Sequence, residues 1–118
     1  MSYDISLLDP VTKETIQLDD NHYIRGGTYA VGGTTEAWLN ITYNYSKFYY
    51  DVIGKNGIRS IYGLSGAESI PILKNAISLL KDDVDNDYWK ATEGNAKRSL
   101  LGLLALAQLR PDGIWDGD

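Results

Sequence analysis

The stretch Thr92-Glu-Gly-Asn-Ala-Lys-Arg-Ser-Leu-Leu-Gly-Leu-Leu-Ala-Leu-Ala-Gln-Leu-Arg-Pro111 carries both of its own boundaries. Thr92 stands as an N-cap, and Pro111 ends the run because proline cannot continue a helix. Between them, Leu100-Leu-Gly-Leu-Leu-Ala-Leu-Ala-Gln-Leu109 is apolar on most sides, the pattern of a central core helix. The run is roughly half of what a membrane span requires, so it reads as core. The rest of the chain is read as what packs around it.

Working toward the N-terminus, Asp82 to Asp87 is a polar loop, and Leu73, Ala76, Ile77 and Leu80 form the buried stripe of a second helix. Two starts compete for that helix. Ser65-Gly-Ala-Glu68 has capping-box spacing, while Ser69 would leave Pro71 in the first turn, where its missing N–H does no harm. The second start is the expected one. A third helical face is carried by Tyr45, Phe48, Tyr49, Val52 and Ile53, with Gly54 as its stop. Ile58-Arg-Ser-Ile-Tyr62 and Thr28-Tyr-Ala-Val31 are candidate short strands.

At the N-terminus, Tyr3, Ile5 and Leu7 alternate with Asp4 and Ser6, as in a half-buried strand. Asp9-Pro10 opens a turn, Thr15-Ile-Gln-Leu18 returns as the partner strand, and Asp19-Asp-Asn21 ends it. The tail after Pro111 reads as a turn with Trp115 as an anchor. The expected architecture is one α+β domain over residues 1–118. An N-terminal β-hairpin, extended by up to two short strands, packs on about three helices.

Composition narrows the function classes. A net charge of −5 argues against a nucleic-acid backbone as partner, since that needs a basic stripe. With no Cys, thiol catalysis, disulfides and thiolate metal sites are excluded, which suits a reducing cytosol. The start, Met-Ser-Tyr-Asp-Ile, lacks the basic and apolar regions of a secretory signal, so a soluble protein is expected.

The most distinctive segment is Gly26-Gly-Thr-Tyr-Ala-Val-Gly-Gly-Thr-Thr-Glu-Ala-Trp-Leu-Asn-Ile-Thr-Tyr-Asn-Tyr45. Glycine gives close backbone approach, and Tyr and Trp combine an apolar body with a polar handle. Such a mixture points to a shaped binding surface. Gly27-x-x-x-x-Gly32-Gly33-Thr34 has P-loop spacing, but Gly33 stands where the phosphate-bridging Lys belongs. A weaker anion nest from the same N–H groups, with Thr34 and Thr35, stays open. Asp83-x-Asp85-x-Asp87 matches the first ligands of a calcium loop, yet Tyr88 and Gly94 replace its required Gly and Glu. It reads as a solvated acidic loop. His22, beside Asp19, Asp20 and Arg25, lacks a partner constellation and reads as a turn residue. The candidate ligand- or partner-binding residues are therefore Arg25, Gly27, Tyr29, Thr34, Thr35, Glu36, Trp38, Asn40 and Tyr43. No catalytic residue, metal or cofactor is expected. The rival class is a small hydrolase or transferase using Glu36 or His22 with Arg25. A third class is an oligomeric assembly protein.

The run Arg25 to Tyr45 resembles small acidic proteins encoded by tailed bacteriophages and prophages. The resemblance extends through Gly57-Ile-Arg-Ser-Ile-Tyr-Gly63, Ala67-Glu-Ser-Ile-Pro71, Thr92-Glu-Gly-Asn-Ala96 and Arg110-Pro-Asp-Gly113. It supplies no catalytic residues. What it implies is a bacterial host cytoplasm, with a host protein or a host small molecule as the partner.

Overall fold

Strand β1 (Ser2–Leu8) buries Tyr3, Ile5 and Leu7 on one face and forms the centre of a three-stranded sheet. The computed structural model describes residues 1–22 and 34–118, with the backbone alone for residues 21 and 22. Beyond β1, the described strands are β2 (Gln17–His22), β3 (Thr34–Glu36), β4 (Trp38–Thr42) and β5 (Ile114–Gly117). The helices are α1 (Ser46–Val52), α2 (Gly66–Ser78) and α3 (Glu93–Leu109). The α+β class with an N-terminal strand and three helices is therefore the architecture observed.

Strand pairing differs from the expected hairpin. β1 is flanked by β4 and β5, both antiparallel, with Tyr3 opposite Ile41, Ile5 opposite Leu39 and Leu7 opposite Trp115. The chain does turn back after Asp9, whose carboxylate accepts the N–H groups of Val11 and Thr12. The return is limited to a bridge between Leu8 and Thr15, after which β2 pairs with β3 in a separate ladder. The physical reason lies in the side chains on offer. β1 needs apolar neighbours on its core face, which Leu39, Ile41 and Trp115 supply and which Asp19 and Asp20 of β2 do not. The candidate strand at Thr28 to Val31 lies outside the described residues. The tail expected as a turn is β5, and its Trp115 is 1% exposed.

The segment expected as a strand at Ile58 to Tyr62 is a short 3-10 helix, Gly57–Ile61. Ile58 and Ile61 are both fully buried, and three-residue spacing puts both on one face of a 3-10 turn. Gly57, at φ +56°, provides the left-handed entry to it.

Helix α2 corrects the expected cap. It begins at Gly66, with Ser65 and Glu68 in a reciprocal capping box: Glu68 N donates to Ser65 Oγ at 3.0 Å, and Ser65 N to Glu68 Oε1 at 2.9 Å. The next two amides, of Gly66 and Ala67, donate to the carbonyls of Gly113 (2.7 Å) and Pro111 (2.9 Å). With the N-terminal donors satisfied in this way, Pro71 is carried inside the helix at the loss of one internal bond. Ser69 does different work. It is fully buried, accepts the Trp115 indole N–H at 2.7 Å and donates to the Gly66 carbonyl at 2.8 Å.

Helices α2 and α3 run antiparallel, and they approach so closely that a Cβ on Gly66 would lie 2.8 Å from the Arg110 carbonyl. Thr92 caps α3 as expected, its hydroxyl accepting Asn95 N at 3.1 Å. Leu100, Leu103, Leu106 and Ala107 enter the core, whereas Leu101 and Leu109 face outward. α3 is thus amphipathic, not buried all round. Among the described residues, no helix is long and apolar enough to cross a membrane.

Both edges of the sheet are covered. On the β5 side, Gly63 N donates to Trp115 O and Trp115 N to Leu64 O, each at 2.9 Å. On the β4 side a single side chain does the job. The Tyr88 hydroxyl accepts Thr42 N at 2.9 Å and donates to Asn40 O at 3.4 Å. An unpaired strand edge invites aggregation, and both coverings remove that hazard.

Candidate functional site

The described residues among those singled out from the sequence do not form one cluster. Arg25, Gly27 and Tyr29 lie outside the described residues, as do the P-loop-like spacing up to Gly33 and the side chain of His22. Thr34, Thr35 and Glu36 form β3, and two of their hydroxyls are used locally. Thr35 Oγ1 donates to Gln17 Oε1 at 2.9 Å, and Thr34 Oγ1 accepts Glu36 N at 3.1 Å. The first fastens β3 to β2, and the second stays within β3. Asn40 is 5% exposed and donates to Ser2 Oγ (2.8 Å) and Asp4 Oδ1 (2.7 Å), so it serves the sheet. Trp38, two residues earlier on β4, is half-buried.

Tyr43 has an arginine beside it, and that arginine is Arg59. The Tyr43 ring stands edge-on to Tyr3 with centroids 4.6 Å apart, and the guanidinium of Arg59 lies 4.9 Å from the Tyr3 ring and 5.6 Å from the Tyr43 ring. Arg59 also donates to the Tyr43 hydroxyl at 3.2 Å and to the main-chain oxygen of Asp118 at 2.8 Å. The cluster ties β5 to the turn that follows β4.

Three carboxylates of the acidic loop accept backbone amides of the loop and of α3. Asp83 accepts Gly94 N, Asp85 accepts Asp87 N, and Asp87 accepts Trp89 N. Among the described residues, no three His, Asp or Glu side chains converge where a metal ion would sit.

A cleft of about 180 Å³ opens between this loop, Tyr45 and the first turns of α3, lined by Tyr45, Asp85, Asn86, Tyr88, Asn95, Arg98 and Ser99. Asn95 organises it. Its amide donates to the carbonyls of Asp87 (3.0 Å) and Lys90 (3.1 Å), and its Oδ1 accepts Asp85 N at 3.0 Å. Asn44 adds a bond to the Trp89 carbonyl at 2.7 Å. The Tyr45 hydroxyl donates to the Tyr88 carbonyl in a short bond. The rings of Tyr45 and Tyr88 meet edge-on at 5.5 Å, and Trp89 stands edge-on to Tyr88 at 5.1 Å.

Electrostatics in the cleft follow from burial. Desolvation pushes the Tyr45 phenol well above its ordinary range, and the neighbouring Tyr88 adds to the shift. Tyr88 is raised by burial against the opposing bond from Thr42 N–H. Beneath them, burial holds the fully enclosed Tyr49 phenol far above its ordinary value while it donates to Ala96 O at 3.0 Å. Asp85 is shifted the other way, chiefly by the Asp87 N–H and then by Lys90, whose Nζ lies 3.3 Å away. Arg98 is the odd member. Half-buried, it makes no hydrogen bond or ion pair among the described residues.

Sequence reading missed this cleft because its lining comes from three distant stretches, each unremarkable alone. Residues 83–87 read as solvated charge and Tyr45 as part of a helical face, and Arg98 carries no reading of its own. The available signal was Asn95: an amide in the first turn of an otherwise apolar helix is poorly placed unless it is bonded. Comparison of the chain with protein-family models, with curated proteins and with solved structures gives no match.

Proposed function

We propose that the protein is a non-catalytic binding module that holds a small ligand in the cleft between Tyr45, Tyr88 and Arg98. The observation that carries this reading is Arg98. Its neighbours Asn95, Tyr45 and Asp85 are satisfied by bonds to the loop and to each other, while its own guanidinium makes none among the described residues. A guanidinium without a protein partner among the described residues can offer its full fork of donors to a ligand. Binding is favoured over catalysis because a general base works best with its pKa near the operating pH. Burial keeps both tyrosines of the cleft protonated, and Asp85 is pulled below its ordinary value. The resemblance to phage and prophage proteins supports a bacterial cytoplasm as the setting and a host metabolite as the ligand.

A host protein docking on segment 25–43 is the second reading. It is favoured by Tyr43 standing half-buried beside Arg59, since Tyr and Arg dominate interface hot spots. Native mass spectrometry of protein purified from a bacterial host, followed by amide-resolved NMR titration with whatever co-purifies, tests both. Shifts confined to Asp85–Lys90 and Asn95–Ser99 support the cleft. A binder that moves only residues 34–43 overturns it in favour of the second reading.

A further inference from the structure

Resting on that cleft reading, we propose that its ligand is a small planar carboxylic acid bound as a monoanion, its carboxylate paired with Arg98 and its body lying against Tyr88. Charge is the first argument. The cleft carries one cation and one carboxylate, but Asp85 is already engaged by Asp87 N–H at 2.8 Å and Lys90 at 3.3 Å. What is left unmet is the single positive charge of Arg98. A second negative charge on the ligand would meet no second cation among the lining residues, so a dianion such as phosphate is disfavoured.

Geometry is the second argument. A guanidinium is a rigid planar fork that matches a carboxylate with two parallel bonds, a match a point-charge ammonium cannot make. Beside it stands the half-buried Tyr88, backed edge-on at 5.5 Å by the fully buried Tyr45, with both hydroxyls turned to the backbone. The surface Tyr88 offers is ring, not donor, which favours a flat apolar body. Size is the third. A volume of about 180 Å³ lies below the 300–1,000 Å³ typical of drug-sized sites, so one small ring with its carboxylate suits it and a nucleotide does not.

Benzoate, benzamide and inorganic phosphate are the probes, titrated into the full chain and read on the amides of Asp85–Lys90 and Asn95–Ser99. Benzoate is expected to bind, with benzamide at least about tenfold weaker, a difference of about 1.4 kcal/mol. Arg98→Gln is expected to weaken benzoate by about tenfold or more without affecting benzamide, and Arg98→Lys to fall between, because only the fork binds in two parallel bonds. Arg98 has no hydrogen bond or ion pair to lose among the described residues, so an unchanged melting temperature confirms that these variants report on binding. Phosphate binding more tightly than benzoate overturns the carboxylate assignment. Benzamide matching benzoate overturns the anionic part and leaves the cleft reading standing. If none of the three probes moves the cleft amides, the cleft reading falls with it.

Discussion

Replacing Asn95 by Ala tests whether one side chain holds the loop that forms the cleft. The substitution leaves the α3 cap intact, because Thr92 Oγ1 bonds the main-chain amide of residue 95. It removes three bonds, to the Asp87 and Lys90 carbonyls and from the Asp85 amide, all between 3.0 and 3.1 Å. At about 1 kcal/mol net for each, the ceiling is about 3 kcal/mol. Asp87 and Lys90 are exposed residues whose carbonyls regain water when the loop loosens, which brings the expected loss to about 2 kcal/mol. For a chain of 118 residues, an unfolding entropy near 2.1 cal/mol/K per residue turns that into a fall of about 8 °C in melting temperature. Calorimetry reads the global loss. Hydrogen exchange at the Thr42 amide reads the local one, because its acceptor is the Tyr88 hydroxyl on the same loop. Melting within about 1 °C of the parent, with Thr42 still protected, would mean that the loop is held without Asn95 and would refute the reasoning.

Ser69→Ala leaves the buried Trp115 indole N–H without its acceptor and should cost about 1–3 kcal/mol in urea unfolding, with less than additive loss when combined with Trp115→Phe. Arg59→Gln removes the cation from the Tyr3 and Tyr43 rings; at an exposed site about 0.5–1 kcal/mol is expected, together with shifted Tyr43 ring resonances. At acid pH, Glu68 is held below its ordinary value of 4.5, first by the Ser65 amide, so its cap contributes fully above that value and is lost as pH falls through the depressed pKa. The variant Glu68→Gln should therefore flatten the stability profile below pH 4.5, and an unchanged profile would count against the cap. At alkaline pH the sign reverses. Burial raises Tyr45 and Tyr49 above 10.0, so stability is complete below that pH and declines above it, and their phenolate absorbance should appear only together with unfolding.

The parts of the fold legible in the sequence are those in which a residue's own chemistry fixes its role. Thr92 and Pro111 bracket α3 because caps and breakers act on the backbone beside them. Tyr45 and Tyr49 turn inward because four-residue spacing leaves them one face. Three errors share a different cause. Thr15 to Leu18 had the local pattern of a partner for β1, but β4 and β5 outcompete it by bringing Leu39, Ile41 and Trp115 from far along the chain. Pro71 pointed to a later start for α2, and what permits the earlier one is a pair of carbonyls from residues 111 and 113. Ile58 and Ile61 fit a strand as readily as a 3-10 turn until Gly57 is seen at positive φ. In each case a distant group or a backbone angle, absent from the local pattern, decided the outcome.

The cleft follows from the same physics. β4 is an edge strand with an amide and a carbonyl facing outward, and this chain satisfies both with the Tyr88 hydroxyl. To place that hydroxyl, the loop must be pinned on both sides of Tyr88, which Asn95 and Asn44 do from α3 and from the turn after β4. A loop pinned at its ends and plugged into a sheet edge arches over what lies between, and what lies between is Tyr45 and the inner face of α3. Closing the edge could have been completed with apolar side chains along that face. Instead the next turn of α3 presents Arg98 and Ser99 to the enclosed space. Edge protection explains Tyr88, Asn95 and Asn44, and it gives Arg98 no hydrogen bond or ion pair among the described residues, which is why the proposed ligand is set against that side chain.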